Sequence, residues 1–149
     1  MTRAHAATVR EEPWQDALGD AQLAARTIGM ADLRVARPRT SVVHSTVRGT
    51  LEREAAAWLR ERLAAILPDA SGLVLFHDWH GLEGYDADAR AVLRELLRGA
   101  PAVRETHLLL APGSSAMALR VAAALGPASL RTYASRDAFR AALSTELAR

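Results

Sequence analysis

Two short, unbroken apolar runs constrain this chain more than any other feature. Gly72-Leu-Val-Leu-Phe76 and Thr106-His-Leu-Leu-Leu-Ala111 are too short for buried helices, and turn residues bound them. Runs of that length and composition are strands covered on both faces, which belong to parallel sheets sandwiched by helices. The segment between them supplies the crossover. Asp86 opens it as an N-cap, Ala89, Val92, Leu93, Leu96 and Leu97 form an apolar stripe, and Gly99 and Pro101 close it.

The same alternation extends in both directions. Leu33 to Arg37 alternates apolar and polar residues, Pro38-Arg39-Thr40 reads as a turn, and Ser41 to Arg48 is rich in β-branched residues. These predict an antiparallel hairpin. Thr50 is expected to cap a helix carrying Leu51, Ala55, Leu59, Leu63, Ile66 and Leu67 at helical spacing, with Pro68 and Gly72 at its exit. After Pro112-Gly113, Ser114 or Ser115 is expected to cap a third helix ending at Gly126-Pro127. Ser129–Ala134 reads as the last strand, and Ser135 caps a final helix with Phe139, Leu143 and Leu147 inward. The expected order is β-β-α-β-α-β-α-β-α, an α/β fold with right-handed crossovers added to a hairpin.

With 149 residues the chain suits one domain, placed here at residues 32–149. Residues 1–31 show no sustained period and read as a loosely ordered extension. Met30 precedes the first clear strand, so residues 1–29 are expected to be dispensable or to lie upstream of the true start. Cysteine is absent, which removes disulfides, thiolate metal sites and a cysteine nucleophile, and fits a reducing compartment. No secretory signal or membrane-length apolar run appears, so the expected location is the cytoplasm, without integral membrane association. All 19 basic residues are arginine, against 17 acidic ones, a formal net charge of +2. The acid-free stretch 33–51 holds Arg34, Arg37, Arg39 and Arg48, which reads as a charge-guarded exposed hairpin more than as an anion- or phosphate-binding surface, and no nucleic-acid partner is expected.

The element order, with Gly49 after the second strand and Asp78-Trp-His-Gly-Leu82 after the third, resembles the SpoIIAA-like branch of the STAS superfamily over about residues 32–147. The segment from Phe76 to Arg90 carries the likeness: an aspartate ending the strand, a Gly-Leu turn, and a helix opened by an aspartate. The resemblance implies a mixed sheet packed with helices and a non-enzymatic regulatory or interaction module, or a small-ligand carrier. In STAS antagonists of anti-sigma factors a serine two residues past that aspartate is phosphorylated; here His80 stands at that place, so the switch does not carry over.

On physical grounds the segment 77–86 is also the expected site, because ligands of α/β sheets gather beyond the carboxyl ends of the strands. It is read either as an exposed loop on which Trp79 and Tyr85 supply contact area to a protein partner, with Asp78, Glu83 and Asp86 orienting it and His80 among the contact residues, or as a connection whose Trp79 and Tyr85 fold back to close the sheet edge while Asp78 and Asp86 cap turns. The second reading is a carrier holding a small apolar or amphipathic ligand between sheet and helices, with room left by Ala116, Ala118, Ala122, Ala123 and Ala124. Gly113, Ser114 and Ser115 form a weak anion-binding turn at a helix start. Pro112-Gly-Ser-Ser115 lacks the Gly-x-Ser-x-Gly elbow of a serine hydrolase, and no base, nucleophile and orienting group come together. His77 and His80 lie three apart at a strand end and not four apart on a helix, so neither metal nor cofactor is expected.

Overall fold

A computed structural model describes residues 14, 18, 22–67, 71–113, 120, 126, 127 and 129–149. Within them run β1 (Gln22–Ile28), β2 (Ala31–Arg39), β3 (Val42–Leu51), α1 (Arg53–Ile66), β4 (Leu73–Tyr85), α2 (Ala87–Arg98), β5 (Val103–Leu110), β6 (Leu130–Tyr133) and α3 (Arg136–Leu147). The strands form one sheet in sequence order, antiparallel across β1, β2 and β3 and parallel from β3 to β6. The expected hairpin, parallel crossovers and mixed α/β architecture are all present. The predicted third helix, with Ser114, Ser115 and its alanines, falls outside the described residues except at Arg120.

Alternation along β4 divides the core in two, since successive side chains leave opposite faces of a strand. Leu73, Leu75 and Trp79 join α1 and α2 in the larger cluster, with Val43, Val47, Leu108 and Leu110 from the flanking strands. Val74 and Phe76 face the other way, against Trp14 and against Phe139 and Leu143 of α3.

The loose extension expected through residue 31 is corrected over its last third. Residues 22–28 form β1, which pairs with β2 from Gln22↔Arg37 to Ile28↔Ala31. Gln-Leu-Ala-Ala-Arg-Thr-Ile carries no clean alternation; its strand conformation comes from the neighbour it pairs with. Gly29 at φ 58 closes the hairpin in two residues, the positive φ that a tight hairpin turn requires. Further upstream, Trp14 is fully buried.

Gly49 locks this hairpin to β3. Its φ is +82, and a Cβ there would sit 2.0 Å from the Met30 carbonyl oxygen. The next amide, Thr50, donates to that same oxygen at 3.3 Å. Thr50 is therefore the penultimate residue of β3 and not the helix cap expected of it.

Candidate functional site

Segment 77–86 is not an exposed loop. β4 continues to Tyr85 because β3 runs to Leu51 and offers it backbone partners throughout. Two extra residues are absorbed on β4, where the pairing moves from Thr46↔Asp78 to Arg48↔Gly81 and from Gly49↔Leu82 to Thr50↔Gly84. Such bulges carry an unpaired residue while the ladder resumes beyond. Gly81 makes the first fit possible, since a Cβ would lie 2.8 Å from the Arg48 Cγ.

This extension decides where the expected contact residues go. Trp79 is 0 % exposed and Asp78 2 %, so neither is a surface anchor. Asp78 accepts the Trp14 indole N–H at 2.5 Å and the His80 backbone N–H at 3.1 Å. Its carboxylate thus ties Trp14 to the sheet. His80 and Tyr85 are half-buried, and Glu83 is exposed. Asp86 does cap α2, accepting the Ala89 N–H at 2.7 Å, and its second oxygen accepts the Arg53 N–H at 3.0 Å. One carboxylate therefore serves the first turns of two helices. Its partner on α1 lies 33 residues upstream, beyond the reach of local sequence reasoning. Of the six residues read as a contact surface, Asp78 and Trp79 are internal, while His80, Glu83, Tyr85 and Asp86 keep solvent-accessible surface.

Three histidines lie on adjacent strands. His44 and His107 flank Phe76 in register across β3, β4 and β5, and His107 stacks on Phe76 with ring centres 4.3 Å apart. Burial, with His77 adding to it, pushes the His44 imidazole down to about 3. His77 points to the α1–α2 side, stacks on Trp79 at 4.8 Å and has Ser45 Oγ at 2.6 Å from Nδ1. Burial alone pushes it down to about 3. Both are neutral at physiological pH. His107 Nδ1 lies 2.7 Å from the Tyr133 hydroxyl, and its Nε2 lies 3.4 Å from Glu105, which holds Arg131 at 2.8 Å. Burial lowers His107 against the opposing pull of Glu105, and burial raises the Tyr133 hydroxyl. A hydroxyl whose ionisation is resisted, beside an imidazole and a carboxylate already taken by arginine, makes a structural network, not an activated nucleophile. Among the described residues no group of three or more His, Asp and Glu side chains is placed to hold a metal ion.

An apolar concavity lies elsewhere, between α1, α2 and the sheet. It has a volume of about 120 Å³. Val43, Leu73, Leu75 and Val103 floor it, and Leu63 and Ile66 of α1, with its C-cap Leu67, line it together with Leu96 of α2. At the rim Arg60 of α1 meets Glu95 of α2 at 3.1 Å, and Gly99 and Ala100 complete the edge. The sheet-and-helix interface expected of a carrier thus has space between α1, α2 and the sheet; the alanine-rich segment lies outside the described residues. Leu63, Ile66 and Leu67 read in sequence as ordinary core stripe, and nothing in the spacing separates a residue that fills the core from one that stops short of it. Of the anion-binding turn only Gly113 is described, at φ 156.

No family model matches this sequence, and no curated protein matches it either. Among solved structures the chain is similar to an uncharacterized protein from the DUF3478 family of Shewanella loihica PV-4, described as having a SpoIIAA-like fold. The two are 15 % identical, the match covers 80 % of this chain and 98 % of that one, and the TM-score is 0.58. The fold is SpoIIAA-like.

Proposed function

We propose that this protein is a non-catalytic binding module that sequesters a small apolar or amphipathic molecule between α1, α2 and the sheet. The observation that carries this reading is the apolar pocket of about 120 Å³ under the α1–α2 pair. Ligand sites in folded domains are concave, mostly apolar, and carry few polar groups, and this pocket meets each condition. The SpoIIAA-like fold is consistent with a regulatory or interaction module. A partner surface on segment 77–86 keeps Tyr85 but is without Trp79 and Asp78, which lie inside the protein.

Amide NMR of the full chain titrated with cyclohexanol tests the reading. The expected result is saturable shifts centred on Leu63, Leu75 and Leu96, removed by Ala64→Phe. Ala64 is an exposed rim residue, so this ring fills the mouth without entering the core. Shifts scattered over the surface, or shifts that survive Ala64→Phe, overturn it.

A further inference from the structure

Resting on that reading of the pocket, we infer that its ligand class is uncharged and of single-ring size: a neutral aromatic or alicyclic molecule, not a fatty acid, an amine or a lipid chain. Size comes first. A closed apolar cavity of about 150 Å³ stays dry and takes up benzene or xenon. The enclosed part of this pocket, at about 120 Å³, lies in the same range, is lined mainly by aliphatic side chains and opens to solvent at its rim. A long acyl chain exceeds that enclosed space.

Charge gives the second limit. The two charged residues among those lining the pocket, Arg60 and Glu95, face each other at 3.1 Å across its rim. Each neutralises the other, so the rim offers no net charge to a ligand. A carboxylate has to displace Glu95 to reach Arg60, and an ammonium has to displace Arg60 to reach Glu95. The carbonyl ends of α1 and α2 point toward this end of the sheet and disfavour anions, while Arg98 in the last turn of α2 disfavours cations. Inward, the floor is Val43 and Leu75, and the next residues on the same strand face are Ser45 and the neutral His77. No ion lies ahead of a ligand's buried end, and burying a charge without a partner is costly.

The test compares benzene, naphthalene, benzoate and benzylamine by amide NMR on the full chain, following Leu63, Leu75 and Leu96. Benzene is expected to bind in the pocket, with naphthalene weaker and both charged rings at least roughly tenfold weaker. In Glu95→Gln, Arg60 loses its counter-ion and the affinity of benzoate relative to benzene is expected to recover most of that factor. Benzoate or benzylamine binding as tightly as benzene, naphthalene binding more tightly, or an unchanged affinity of benzoate relative to benzene in Glu95→Gln overturns the inference and leaves the pocket as a binding site. No pocket shifts with any of the four overturns the pocket reading, and this inference with it.

Discussion

Acidification strikes this fold at the centre of its sheet. His44 and His77 sit on neighbouring strands, fully enclosed, and burial drives both to about 3 from 6.5. In the unfolded chain each binds a proton near its ordinary value; in the folded chain neither does until far lower pH. The unfolded state therefore holds more protons throughout the window between those values, and stability falls as pH falls through it. Above pH 6.5 the effect is absent. At pH 5, one and a half units into the window, each histidine withdraws about 2 kcal/mol, so the pair withdraws about 4 kcal/mol. His107, also lowered by burial, acts in the same direction with Glu105 opposing it. A loss of that size is a large share of the roughly 5–15 kcal/mol that holds a typical domain. Urea unfolding at pH 7.5 and pH 5.0, fitted with a common slope, measures it. His77→Gln, which keeps a hydrogen-bonding partner for Ser45 but carries no titratable group, is expected to halve the pH-dependent loss. A change below about 1 kcal/mol between the two pH values, or an undiminished loss in His77→Gln, would refute the reasoning.

Three further outcomes follow from the scaffold. Gly49→Ala forces a Cβ into the Met30 carbonyl at positive φ, and is expected to cost at least about 2 kcal/mol, read as a lower urea midpoint. Asp86→Ala uncaps α1 and α2 together and is expected to cost about 1–3 kcal/mol, while Asp86→Asn recovers part of it; circular dichroism melts check both. Removal of residues 1–29 strips β1 and Trp14 at once, and is expected to abolish the cooperative unfolding transition or cost more than about 3 kcal/mol, because the fully buried indole alone is worth that much.

The parts legible in the sequence are those whose cause is local. Phe76 ends an apolar run, Asp86 and Ser135 stand one residue before a helical stripe, and each does in the structure what that position dictates. The parts that were illegible have causes far away in the chain. His77-Asp-Trp-His-Gly-Leu-Glu-Gly-Tyr85 reads as a loop because two glycines and a mixture of charged and aromatic residues favour turns. It is a strand because Ser45–Leu51 of β3 lie alongside it with backbone groups to satisfy on that edge, and a bulge at each glycine costs less than leaving those groups unpaired. β1 follows the same logic: its alanines favour helix, but β2 presents an open edge at the distance a hairpin turn can close. The site shifts for the same reason. Once β4 extends, the aromatic that looked like an exposed anchor is drawn into the core as Trp79. The room left over appears instead at the other end of that strand face, where residues from the last turns of α1 and α2 line the pocket with Leu73. In this chain the long-range backbone pairing, more than the side-chain pattern, determines which residues a ligand can reach.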